Sequence, residues 1–246
     1  MKRILCIVGI LLAASGYCRA ETVVLATGDW APYVSEKLEE YGPIAEIVTK
    51  SFANVGIEVK FEFYPWKRCE FLAENGDVFA TFPFIITPER QKFSVFSDSI
   101  AVTRDVLFYN KKHIKHYDFT GYEDLKQYAI GSPIGYNYTE ILQKEGVLTD
   151  PVENEEQNFR KLEAGRIDFV PADERVGWQL IGKLFPDKIA DFAATVTPFQ
   201  LPALRLMVSR KFPGSADMLK KFNIGLSELN ASGETARILK KHMISE

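Results

Sequence analysis

The sequence predicts an α/β protein of two similarly built lobes, each a mostly parallel sheet flanked by helices. Three observations carry that expectation. Strand-like and helix-like segments alternate over residues 23–80, the order that places parallel strands under a layer of helices. A helix end, a glycine and a short apolar run carrying an acid occur twice, at 72–80 and again at 162–170. Two further apolar runs, 105–110 and 204–209, fall outside the alternation, as connectors between two lobes would.

The elements follow in order. The run 23–26 is closed by Thr27-Gly28-Asp29. Over 43–53, Ile44, Ile47, Val48 and Phe52 recur at helical spacing, and Gly56 provides the stop. Residues 57–64 alternate, with Val59, Phe61 and Phe63 against Glu58, Lys60 and Glu62, which is the pattern of a half-buried strand. A helix over 66–74 ends at Asn75-Gly76, and 77–80 reads as the next strand. In the second region 128–131 reads as strand and 137–144 as helix. A helix over 155–164 is capped by Asn154, with strand 167–170 and helix 173–184 after it. In the tail, Leu219, Phe222, Leu226 and Leu229 have the spacing of one packed helix face, and Ser232-Gly233 precedes a last helix over 235–242.

At the N-terminus, Lys2 and Arg3 precede an apolar run over 4–14, followed by small residues and Cys18-Arg19-Ala20. That layout predicts a cleavable secretory signal peptide over 1–20 and a periplasmic mature protein. The apolar run falls short of the roughly twenty residues a membrane-spanning helix needs. Cleavage would take the formal charge from 30 − 33 = −3 to 27 − 33 = −6 and leave Cys69 as the lone cysteine. A mildly acidic chain has no electrostatic reason to bind nucleic acid or an anionic membrane. A single cysteine forms no internal disulfide.

Little in the sequence suggests reaction chemistry. His113 and His116 sit among Lys111, Lys112 and Lys115, which disfavour a metal cation, and His242 is remote in sequence. There is no nucleophile elbow, phosphate loop or dinucleotide fingerprint. No metal, cofactor or catalytic residue is therefore expected.

Four segments look built for recognition instead. Gly28-Asp29-Trp30-Ala31-Pro32-Tyr33 follows the first strand, where ligands of open α/β sheets bind, and its aromatics can wall a pocket. In the run 81–90, Thr87 suits an N-cap and Pro88 the first helical position, which puts Arg90 in the first turn. A cation there opposes the helix dipole and is explained either by an anion it holds, for which guanidinium offers two parallel hydrogen bonds, or by a surface ion pair. Asp173, after Pro171-Ala172, is either an N-cap or an acceptor for an ammonium group. Gly135-Tyr136-Asn137-Tyr138-Thr139 opens a helix whose free N–H groups can hold a ligand oxygen.

Taken together, Asp77-Val78, Thr87-Pro88-Glu89-Arg90, Phe96-Ser97-Asp98, Gly165-Arg166-Ile167-Asp168 and the ending 229–241 resemble the polar-amino-acid class of solute-binding proteins of ABC transporters. Phe63-Tyr64-Pro65-Trp66-Lys67-Arg68 resembles a divergent branch of that class. The resemblance implies a two-lobe periplasmic-binding-protein fold of type II, with 21–108 plus 202–246 as one lobe and 109–201 as the other. It implies a monomer that closes on a small ligand and delivers it to a membrane permease. It places the ligand's carboxylate on Arg90 and its ammonium on Asp173. Trp30, Tyr33 and Trp66 become walls, with Phe84, Ile85, Tyr136 and Asn137 nearby. Pro83 and Ile85 stand where the family has a glycine and a threonine, and Tyr136 and Asn137 replace small hydroxyl residues. Those departures favour a ligand with more aromatic surface than a standard amino acid. The same fold serves periplasmic enzymes of the cyclohexadienyl dehydratase kind, for which Glu89, Glu174 and Asp173 are acids of the right type, and it serves stand-alone sensors.

Overall fold

The computed structural model describes residues 21–244, so the predicted leader over 1–20 lies outside the described residues. The chain begins with β1 (Glu21–Thr27), α1 (Pro43–Ala53), β2 (Ile57–Phe63), α2 (Trp66–Asn75) and β3 (Ala80–Phe84). A short helix α3 (Pro88–Gln91) and strands β4 (Ser94–Phe96) and β5 (Ala101–Val102) complete this first pass. The second region holds β6 (Asp105–Asn110), α4 (Tyr122–Leu125), β7 (Ile130–Pro133), α5 (Asn137–Lys144) and β8 (Thr149–Val152). It continues with α6 (Glu155–Glu163), β9 (Val170–Asp173), α7 (Glu174–Leu184) and β10 (Phe192–Ala194). The chain returns through β11 (Ala203–Ser209) and ends in α8 (Ser215–Ala231) and α9 (Glu234–Ile244).

The first lobe is a sheet in the order β2-β1-β3-β11-β4, with β5 also paired to β11. β1 pairs parallel with both β2 and β3, whereas β11 runs antiparallel to β3, β4 and β5. In the second lobe β6 lies between β9 and β10, antiparallel to both, and β7 pairs parallel with β8. A parallel bridge between Ile130 and Phe169 joins these two groups of strands. The sheets are thus mixed. The returning strand β11 and the crossing strand β6 supply the antiparallel pairs, because each enters its sheet from the other lobe rather than through a helix on the same one. β6 pairs in the second sheet from Asp105 onward, ahead of the sequence-read junction at 108/109.

Burial on both sheet faces explains the apolar strands. Along β1, Val23 and Leu25 join the core with α1 and α8, while Val24 and Ala26 face the core with Cys69, Leu72 and Ala73 of α2. β6 splits likewise, with Val106 and Phe108 toward α6 and α7, and Leu107 and Tyr109 toward α4 and α5. Helices α1 and α8 cross at Gly225, where an added Cβ would stand 1.9 Å from the Ser51 carbonyl oxygen. Gly225→Ala gains helix propensity but must force the two helices apart. A net loss of about 2 kcal/mol is expected, read from the denaturant midpoint.

Two strands begin later than the sequence suggested. Gly76 takes φ 84° and the Asp77 N–H bonds to Leu72 O at 3.0 Å, so Asp77 belongs to the helix stop and β3 starts only at Ala80. Gly165 does the same at φ 66°, with Arg166 N–H on Lys161 O, and β9 starts at Val170. Residues 81–84 of the recognition segment 81–90 are therefore buried strand. Prolines are tolerated in both strands for identifiable reasons. Pairing of β3 with β1 ends at Phe82, and the register with β11 shifts between Arg205 and Met207, so no partner requires an N–H from Pro83. Pro171 faces Leu107, whose N–H and C=O are both turned to Thr195 on the other side.

Candidate functional site

The lobes meet over a cavity of about 70 Å³ lined from both sides. Trp30, Trp66, Phe84, Ile85 and Arg90 come from the first lobe, and Tyr136 and Asn137 from the second. Seven of the nine residues read from the sequence as ligand-binding therefore surround one space. Tyr33 and Asp173 do not; they line a neighbouring cavity beside Arg104 and Glu174.

Arg90 owes its position to local chemistry. The Thr87 hydroxyl accepts from the Arg90 backbone N–H at 3.3 Å and starts α3 there. The side chain is 4 % exposed, and its guanidinium lies 4.7 Å from the Phe84 ring centroid. Nε donates to Glu70 Oε1 at 3.5 Å and one terminal nitrogen to Ile85 O at 3.3 Å. The other terminal nitrogen crosses the cleft to Gly135 O at 3.4 Å. That last bond joins the lobes, and a ligand anion would compete for it. Ile85 thus contributes its carbonyl, which replaces nothing a threonine hydroxyl would have done for a carboxylate.

Trp66 stands over Gly28, where an added Cβ would fall 2.6 Å from the indole, so the loop after β1 can carry only glycine beneath that wall. Trp66 also meets Phe84 edge-on at 5.7 Å, and Trp30 packs on Tyr33 at 4.7 Å. The Trp30 Nε1 donor is buried without a hydrogen-bond partner.

Asp173 performs the capping role. Its Oδ1 accepts from the N–H groups of Arg175 and Val176 at 3.0 and 3.1 Å, and its Oδ2 accepts from the Tyr33 hydroxyl of the opposite lobe at 3.2 Å. Tyr33 and Asp173 are thus an inter-lobe contact. Glu89 reaches toward Lys144 at 4.0 Å and Glu174 pairs with Arg104, so neither acid lines the cavity with Arg90.

The sequence reading missed Asp105, Thr103 and Glu155. Asp105 and Thr103 line the cavity, and Glu155 accepts from the Tyr138 hydroxyl at 3.4 Å. The available signal was an acid heading an otherwise apolar strand, Asp105-Val106-Leu107-Phe108. Burial, with Asp173 opposite, pushes the Asp105 carboxyl up to about 7. Burial and the neighbouring acids Asp173 and Asp105 push Glu155 up to about 8. Asp173 is raised as well, by burial, against the hydrogen bonds it accepts. Among the described residues no Lys, Arg or His forms an ion pair with any of the three; Arg90 and Arg104 pair with Glu70 and Glu174.

A carboxyl with a raised folded pKa holds its proton longer folded than unfolded, so its contribution is fully present below the ordinary carboxylate range and is lost progressively as pH rises to about 7 to 8. Glu46, Asp118 and Glu234 are lowered, the first against its burial by His242 and Lys50, and their contributions are lost only as pH falls below the ordinary carboxylate range. The ligand-free melting temperature should therefore be highest near about pH 4 and fall steadily toward about pH 8, as differential scanning fluorimetry across that range would show.

A profile of the bacterial extracellular solute-binding proteins, family 3, matches residues 23–245. The chain belongs to that family. Its two-lobe architecture is shared with solved structures. An ancestral arginine-binding protein bound to arginine has a TM-score of 0.74 at 23 % identity, over 91 % of this chain and 98 % of that one. A histidine kinase sensor domain with similarity to periplasmic binding proteins has a TM-score of 0.77 at 18 % identity, over 90 % and 96 %. The ancestral amino-acid-binding protein AncCDT-1, a precursor of cyclohexadienyl dehydratase, has 0.70 at 17 %, over 89 % and 94 %. At these identities the likeness is one of fold. No curated protein sequence matches the chain. In this solute-binding protein, no helix of the described residues is long and apolar enough to cross a membrane.

Proposed function

We propose that this family 3 solute-binding protein captures a small carboxylate-bearing solute, amino-acid-like or aromatic, by closing its lobes around it. The observation that carries this reading is the Arg90 side chain, buried in the first lobe yet bonded to Gly135 O of the second. A ligand carboxylate that displaced the Ile85 and Gly135 carbonyls from the two terminal nitrogens would take the bidentate place on a group that already reaches across the cleft. The closed state would then gain contacts the open one lacks. Trp30, Trp66, Phe84 and Tyr136 supply a mostly aromatic surface for the rest of the ligand.

On this reading the mature protein acts outside the cytoplasm as a monomer after loss of a signal peptide. It hands its solute to the membrane permease of an ABC transporter and catalyses no reaction. The experiment is a thermal-shift and tryptophan-fluorescence screen of purified residues 21–246 against amino acids, dipeptides and aromatic acids, followed by small-angle scattering with each binder. Binding with a decrease in radius of gyration is expected. Turnover of any screened compound, or binding without closure, would sink the proposal.

A further inference from the structure

The cavity beside Arg90 carries a second charged group with an unused side. Asp105 is 4 % exposed and lines that cavity. Its Oδ2 accepts from Gln200 Nε2 at 2.6 Å, and Gln200 Oε1 in turn accepts from Asn137 Nδ2 at 3.0 Å. The amide of Gln200 is thereby oriented toward Asp105, and no hydrogen bond among the described residues reaches the other carboxylate oxygen. Thr103 lies two residues upstream, is 5 % exposed and lines the same cavity, and its Oγ1 has no hydrogen-bond partner. Buried polar atoms are nearly always paired, so the unpartnered Thr103 hydroxyl, beside a carboxylate oxygen that lines the cavity with no protein donor, marks a place for a ligand group that donates.

The electrostatics agree. Asp105 stands directly opposite Asp173 in the β6–β9 register, an arrangement in which like charges repel. Asp173 has committed both oxygens, one to capping α7 and one to Tyr33. Asp105 has not, and it lines the cavity together with Trp30 and Trp66.

We propose that Asp105 and Thr103 form the cation-accepting subsite of the cleft, holding a protonated primary amine of the solute. This rests on the solute-binding reading above, and it moves the ammonium partner from Asp173, where the resemblance implied it, to Asp105. Asp173 keeps its structural work at the start of α7.

The test is calorimetric titration of the wild type, Asp105→Asn and Thr103→Val with the twenty L-amino acids. For each binder, the deaminated carboxylic acid is titrated in parallel. The expected result is that Asp105→Asn weakens the amino-acid probe at least tenfold while its ligand-free melting temperature is unchanged or higher, since a repelling charge is gone. Thr103→Val should weaken it several-fold. Removal of the amine should cost the wild type tenfold or more and cost Asp105→Asn little. Should Asp105→Asn fail to fold, the Thr103→Val titration and the wild-type amine comparison still decide. A deaminated acid that binds the wild type as tightly as its amino acid would remove the subsite and leave the solute-binding reading standing. So would amino-acid affinity within twofold of wild type in Asp105→Asn. A wild type that binds only aromatic acids without an amine would remove the subsite alone, and one that binds no amino acid, dipeptide or aromatic acid would remove both.

Discussion

Arg90→Ala is expected to abolish detectable solute binding and also to lower the melting temperature of the ligand-free protein. A surface arginine would do only the first. Arg90 is buried, and its truncation leaves Glu70 Oε1, Ile85 O and Gly135 O without their donor and the Phe84 face without its cation. Glu70 is only half-buried, so the lost charge-assisted hydrogen bonds should cost about 2 kcal/mol. Arg90→Lys separates the two effects, because lysine keeps the charge but lacks the planar fork. It should recover much of the melting temperature and little of the affinity. Equal affinity in wild type and Arg90→Ala would eliminate Arg90 as the anion anchor.

The second large effect is expected in the other lobe. Phe108 is fully buried in β6, with the rings of Phe159 at 5.4 Å and Trp178 at 5.3 Å, and it fills the space over Gly177. Phe108→Ala should cost about 3 to 5 kcal/mol, for the lost transfer energy and the cavity left behind. Because β6 is the middle strand between β9 and β10, the loss falls on the second lobe. Hydrogen exchange should accelerate in β6, β9 and α7 well before it does in β1 or α1, and uniform acceleration across both lobes would contradict this assignment.

The elements most legible in the sequence were those whose cause is local. The helix over 43–53 and the helix start after Asn154 were read within a residue or so, because periodicity and a capping side chain act over a few neighbours. Strands β4, β5, β8 and β10 were not anticipated. Each is only two to four residues long, too short to show a period, and exists because a partner strand arrives from elsewhere. β3 and β9 were displaced for a related reason. A glycine stop consumes the next residues in closing the helix, which an apolar count cannot see.

The site divides in the same way. By itself the sequence determined that Arg90 begins a helix behind Thr87, that aromatics follow the first strand, and that Asp173 can cap α7, since each depends on residues adjacent in the chain. Only the tertiary structure decided which acid shares the cavity with Arg90. That outcome depends on the register that sets Asp105 opposite Asp173, on Tyr33 reaching Asp173 from the other lobe, and on Arg90 meeting Gly135 across the cleft. Those partners lie 45 to 140 residues apart, and no local pattern encodes a contact between groups held on different lobes.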